Sequence, residues 1–103
     1  MSKYHSKRTV VDGITFDSRR EASRYEVLKG MEDRGEIKDL RLQVRYELIP
    51  KHGRNRAVFY IADFVYVQDG EEVVEDCKGY RTEIYKLKKK IFEWRYGKEI
   101  KES

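Results

Sequence analysis

Asp63, Asp76 and Lys78 are residue types that can hold a divalent cation and steady charge on a phosphate. Between Ile61 and Asp76 the chain carries six acidic residues (Asp63, Asp69, Glu71, Glu72, Glu75, Asp76) and no basic one. Between Tyr80 and Ser103 eight basic residues stand against four acidic. A basic chain that gathers carboxylates in one stretch has either a solvated acidic turn or a cation site there. Asp69, Glu71 and Glu72 flank Gly70 and fit the solvated turn. Asp63 instead interrupts the apolar run YIADFVY, where a carboxylate is costly unless it is paired or binds a metal. Strand alternation places Asp63 on the face of Ile61 and Val65, and Asp76 on the face of Lys78, with Glu75 opposite. Antiparallel pairing through Gln68-Asp69-Gly70 can bring Asp63 close to Asp76 and Lys78. The alternative for the same residues is a buried Asp–Lys ion pair that braces a hairpin and does no chemistry.

These side chains need elements to position them. In TVVDGITF, Asp12-Gly13 between β-rich runs predicts a tight hairpin. DSRREASRYEVLKGMEDRGEI predicts a helix from about Ser18 to Asp33, with Ser18 and Glu21 as a capping box. Ala22, Tyr25, Leu28 and Met31 form its apolar stripe, and Gly35 ends it. LRLQVRYELIP predicts a strand stopped by Pro50, and RAVFYIADFVYV, residues 56–67, a second one rich in β-branched and aromatic residues. EEVVEDCKG returns as its partner. Thr82 caps a second helix to about Tyr96, with Ile84, Leu87, Ile91 and Trp94 on one face. KEIKES can add a short last strand. The sum is an α+β domain with a mixed, mostly antiparallel sheet flanked by two helices.

The bulk properties set limits. A chain of 103 residues fits one domain, residues 1–103, with residues 1–8 as a polar arm. Charged residues are 41% and mean hydropathy is −0.88, but 13% aromatics and clear periodicity supply the burial that folding requires. A net charge of +4 suits a polyanionic partner. The single cysteine, Cys77, excludes an intramolecular disulfide and a cysteine-clustered zinc site. No stretch approaches the roughly 18 apolar residues of a membrane span, and the basic N-terminus lacks the apolar core of a secretory signal. No membrane partner and a cytoplasmic location are expected.

IADF…VVEDCKGY resembles the core of the PD-(D/E)xK nuclease superfamily, in which an aspartate on one strand and an acidic-x-Lys on the next form the metal site. VVDGITFDSRREASRYEVLK before it and TEIYKLKKKIFEWRY after it look similar to small phage-type endonucleases of that superfamily, over roughly Thr9 to Tyr96. Ala62 stands where the superfamily's name has proline, and Asp76 where glutamate is more usual. The resemblance implies a restriction-endonuclease-like core and a Mg²⁺-dependent endonuclease, with Mn²⁺ as a possible substitute. It implies DNA as partner, with branched or Holliday-junction DNA an attractive substrate, a homodimer as the form in which junction enzymes act, and for a phage protein the host cytoplasm as its compartment. By the same resemblance Asp63 and Asp76 are metal ligands, the Cys77 carbonyl offers a further oxygen, Lys78 assists the attacking water, and Glu21 joins the metal site.

Glu21 also has a capping role open to it, but it precedes Tyr25 and Leu28 at helical spacing and so lies along the inward stripe. Gln43 is a candidate to orient metal ligands, or else an exposed strand amide. Arg81 and Lys86, near the second helix start, are candidates to hold substrate phosphates, as are Lys51, Arg54 and Arg56 on the hairpin loop. The run Lys88-Lys89-Lys90 fits a solvated helix side as readily as a DNA contact. Two other functions remain open: a nucleic-acid-binding module without catalysis, and a ribonuclease on the same scaffold.

Overall fold

The computed structural model describes residues 8–78 and 80–103, so the arm expected over 1–8 lies, up to residue 7, outside the described residues. The chain is α+β. Strands β1 (Thr9–Val11) and β2 (Ile14–Phe16) form a small hairpin ahead of helix α1 (Arg19–Asp33). Strands β3 (Lys38–Ile49), β4 (Val58–Gln68) and β5 (Glu71–Asp76) follow, then helix α2 (Glu83–Tyr96) and strand β6 (Ile100–Glu102). The main sheet has the order β3-β4-β5-β6, antiparallel except for β5 beside β6. That parallel pair needs a crossover, and α2 provides it.

Turn chemistry sets these elements. Asp12 and Gly13 at φ 53° and 76°, and Asp69 and Gly70 at 52° and 79°, give the β1–β2 and β4–β5 hairpins the left-handed central pair that two-residue turns require. The Ser18 hydroxyl accepts from Glu21 N–H at 3.1 Å to start α1. At its other end Glu36 N–H donates to Met31 O and Gly35 N–H to Glu32 O, with Gly35 at φ 77°, a Schellman closure. Thr82 starts α2 by accepting from Tyr85 N–H.

Two apolar clusters share β4. Phe16, Ala22, Tyr25, Leu28, Ile37, Phe64 and Tyr66 pack with α1, and Leu48, Tyr60, Ala62, Val65, Val74, Tyr85 and Phe92 pack with α2. Their membership exposes a break in strand alternation. In β3, Leu40 and Leu42 join the α1 cluster while Val44 and Tyr46 join the other; in β4, Tyr60 and Ala62 join the α2 cluster while Phe64 and Tyr66 join the α1 one. The pairing stays in step across it, Leu42↔Phe64 and then Val44↔Ala62, so neither strand carries an extra residue. Gln43, at φ 53°, lies at the break, opposite Asp63. A left-handed residue there reverses the sense of alternation without changing the register. The expectation that Asp63 shares one face with Ile61 and Val65 therefore fails: Ile61 is half exposed and Val65 fully buried.

Ile84, Leu87, Ile91 and Trp94 share one face of α2, but that face is not the one packed on the sheet. Tyr85 and Phe92 point into the core and Ile91 packs at its margin, whereas Ile84, Leu87 and Trp94 face outward. Aromatic packing decides this: Phe92 lies 5.0 Å from Tyr46 and 5.4 Å from Tyr60 between ring centroids, and Arg95 and Tyr96 donate to the carbonyls of Leu48 and Glu47. That set anchors the helix on the opposite side from the aliphatic stripe.

Glu75 is fully buried and satisfied. Arg24 of α1 reaches both its oxygens, Tyr66 donates at 2.7 Å and Ser103 at 2.7 Å. Burial alone would raise this carboxyl, but these donors outweigh it and hold it below the ordinary range. Arg24→Ala, which strands a buried charge, is expected to cost about 3–5 kcal/mol. Urea unfolding measures this, with Arg24→Lys losing less because one donor survives.

Candidate metal and phosphate site

The break at Gln43 and Asp63 is where the candidate residues meet. Asp63 Oδ2 accepts from Cys77 N–H at 2.8 Å, tying β4 to the end of β5. The Gln43 amide nitrogen lies 3.4 Å from Asp63 Oδ1 and 3.3 Å from Glu21 Oε2, so one neutral amide bridges the two carboxylates. Its backbone conformation costs about 1–3 kcal/mol for a residue other than glycine. Glu21 thus turns toward the sheet: its N–H serves the helix cap while its carboxylate serves the cluster.

Phe64 pairs with Glu75, so one step further along the ladder Asp63 comes opposite Asp76. Glu75 and Asp76 are sequence neighbours on opposite faces, and their environments differ completely. Asp76 is 1% exposed, and among the described residues neither of its oxygens has a hydrogen-bond partner. Lys78 Nζ stands 3.4 Å from Asp76 Oδ2, close enough for charge attraction. The same ammonium lies 4.6 Å from the centroid of the Tyr85 ring, whose hydroxyl donates to Glu102. Tyr60 contributes another buried hydroxyl that lies near Asp76 without forming an aligned hydrogen bond.

Electrostatics follow from this crowding. Burial first, then the Asp63 carboxylate, push Asp76 up to about 8, with Lys78 opposing. Burial, Asp63 and Asp17 push Glu21 up to about 7. Sharing of one space by carboxylates out of water is the physical cause in both cases.

The sequence-derived set Glu21, Gln43, Asp63, Asp76 and Lys78 is therefore brought together. Arg81 and Lys86 line an open groove of about 410 Å³ beside Tyr85, together with Lys89 and Lys90. Arg81 is paired with Glu102, Lys86 with Glu83 and Lys89 with Glu93. A second groove, about 260 Å³, is lined by Phe16, Asp17, Glu21, Leu42 and Gln43. Lys51, Arg54 and Arg56 are exposed on the β3–β4 loop, at least five residues of strand, or about 17 Å, from Asp63. Tyr85 and Tyr60 were not singled out from the sequence. Tyr85 sits one residue beyond Ile84, and its place became visible only once the buried side of α2 was known.

Among the described residues no three His, Cys, Asp or Glu side chains already surround one point at ligand spacing. The carboxylates are neighbours rather than a finished cage. Among the described residues no helix is long and apolar enough to cross a membrane. A family model described as "Protein of unknown function (DUF1064)" matches residues 1–103. No curated protein and no solved structure matches the chain.

Because folding raises both carboxyl pKa values, their stabilising contribution is fully present below about pH 4 and is lost as pH rises through 7 and 8. Asp76→Asn should therefore raise the metal-free melting temperature, by more at pH 9 than at pH 5. Thermal melts in EDTA at the two pH values measure this; an equal change at both would contradict the assignment.

Proposed function

We propose that this chain, which belongs to the DUF1064 family, is a divalent-metal-dependent endonuclease that hydrolyses DNA phosphodiester bonds. The single observation that carries the reading is Asp76: a buried carboxylate with no hydrogen-bond partner on either oxygen among the described residues, next to a second carboxylate and ion-paired with the Lys78 ammonium at 3.4 Å. A buried acid left in this condition is expensive, and a cation is the partner that would relieve it. The donor set fits a hard cation. Asp63, Asp76 and Glu21 supply carboxylate oxygens, with the Cys77 carbonyl as a further oxygen, and Mg²⁺ needs only a few protein ligands because it keeps several waters. When bound, such an ion lowers the pKa of a water and offsets charge on a phosphate.

The chain's own residues have separate tasks in this reading. Asp76 and Asp63 hold the cation from neighbouring strands. Gln43, which bridges Glu21 and Asp63, orients those two carboxylates. Lys78, held between Asp76 and the Tyr85 ring, brings a positive charge to the scissile phosphate and takes part in positioning the attacking water. Arg81 and Lys86 sit next to Tyr85 in a groove suited to the neighbouring backbone phosphates. Lys51, Arg54 and Arg56, on the β3–β4 loop, face a stretch of DNA distant from the scissile phosphate. Branched DNA is the substrate form proposed first, on the resemblance to phage-type endonucleases.

The test is cleavage of plasmid, single-stranded, flap and four-way-junction DNA, and of RNA, with Mg²⁺, Mn²⁺ or EDTA. Cleavage with either metal and none in EDTA is expected. Asp76→Asn and Lys78→Ala should each lower the rate by at least about 10²-fold while DNA affinity in a gel-shift assay is retained. Binding to DNA without cleavage by the wild type would leave a binding module and overturn the enzyme reading. Cleavage confined to RNA would transfer it to a ribonuclease.

A further inference from the structure

Strands β3 and β4 outrun the rest of the main sheet. β5 pairs with β4 over residues 64–68, whereas over residues 58–62 β4 pairs, among the described residues, with β3 alone. The outer part of the pair is therefore a two-stranded ribbon. One of its faces holds Tyr46, Val58 and Tyr60 against α2. The other lies beyond the point where the α1 cluster stops, and carries Arg45, Phe59 and Ile61, the last of them 50% exposed. The Arg45 guanidinium carbon stands 4.2 Å from the centroid of the Phe59 ring, so the ring braces the cation. At the tip, His52 and Asn55 exchange backbone hydrogen bonds of 3.0 and 2.8 Å around Gly53 and Arg54, with Gly53 at φ 56°. That closed turn presents Lys51, Arg54 and Arg56, all exposed. Between Leu40 and Ala62 there are five basic residues and one acid, Glu47, which lies 3.7 Å from Arg95. Arg45, Lys51, Arg54 and Arg56 join no ion pair among the described residues, unlike Arg41, Arg81, Lys86 and Lys89.

We infer that this ribbon seats in the major groove of a B-form DNA duplex, with α2 at its back and the basic tip on backbone phosphates. The inference rests on the nuclease reading for its choice of a nucleic acid, and deepens it by naming the form of the substrate. Two strands about 4.8 Å apart fit a groove about 12 Å wide. Cations without a protein partner are matched by phosphates. Single-stranded bases would need an open ring to stack on, and Phe59 already has Arg45 over it. A duplex of RNA is closed to the ribbon, because its major groove is deep and narrow. With the tip about 17 Å from Asp63, its phosphates lie about five base pairs from the cut.

Fluorescence anisotropy of the full chain in EDTA tests this, using duplex DNA, duplex RNA and single-stranded DNA of one sequence, about two helical turns long. Duplex DNA should bind at least about 10-fold more tightly than the other two. Its log affinity should fall against log salt with a slope of about −3 to −4, as four phosphate contacts require. Lys51→Ala and Arg54→Ala should each reduce that slope by about 1 with an unchanged circular dichroism spectrum. Arg45→Glu, on the exposed face itself, should lower duplex affinity by at least about 10-fold. Equal or tighter binding of RNA or single strands, no binding of duplex DNA, a slope untouched by the tip variants, or wild-type affinity in Arg45→Glu would each overturn the inference. Cleavage plays no part in these readouts. Duplex binding by a chain that cuts nothing with Mg²⁺ would remove the nuclease reading and leave the ribbon its role; cutting by a chain whose tip variants bind as the wild type does would do the reverse.

Discussion

Reversing the side-chain alternation of two paired strands at the same step, without shifting their register, is the constraint on which the rest of this protein turns. Gln43 takes the left-handed backbone that makes the reversal, and Asp63 faces it across the ladder. Below the break the even residues of β3 and β4 look toward α1, and above it toward α2. On one face the α1 cluster stops at the break, while on the other Val65 and Val74 carry the α2 cluster past it, so the break is the open edge, or seam, of the α1 covering. A polar side chain in the middle of a continuous apolar face would be an error; at a seam it has space. The seam is where Asp63, Gln43, Glu21 and Asp76 converge, so the geometric irregularity and the proposed chemistry share one place.

The two adjacent acids of β5 show how differently the same chemical group can be treated a residue apart. Glu75 receives an arginine, a tyrosine and a serine, and becomes a structural anchor between α1, β4, β5 and the last strand. Asp76 receives burial and a second carboxylate. Lysine alone, at 3.4 Å and partly in solvent, offsets only part of that cost. A fold that fully satisfies one buried acid has the means to satisfy the next; in the proposed reading, the acid left beside other carboxylates is the one kept for a cation.

Much of this was legible in the residues. Asp-Gly pairs gave both hairpins, Ser18 and Thr82 the helix starts, and Gly35 a helix end, because turn and cap chemistry is local. The approach of Asp63 to Asp76 and Lys78 was also legible through strand pairing, and that of Glu21 through helix spacing together with the family resemblance. Two things were not. Period-two counting assumes one uninterrupted strand, and nothing in LRLQVRYELIP announces that Gln43 adopts a conformation usually left to glycine or asparagine. In α2 the aliphatic residues outnumber the aromatics and define the more obvious stripe. Which side faces the sheet was settled by ring packing against Tyr46 and Tyr60, a tertiary fact invisible to helical periodicity.

The two-residue turn at Asp69-Gly70 acquires a weight beyond its size. It alone fixes which of the two neighbouring acids of β5 looks to which side, since Gln68 pairs with Glu71 directly across it. Lengthen or shorten that turn by one residue and every β5 side chain changes sides. The acid now clasped by Arg24 would enter the cluster, and the one now beside Lys78 would be handed to the arginine. A loop tip with no side chain in the site thus acts as its address label, and its length is as much a part of the proposed chemistry as the carboxylates themselves.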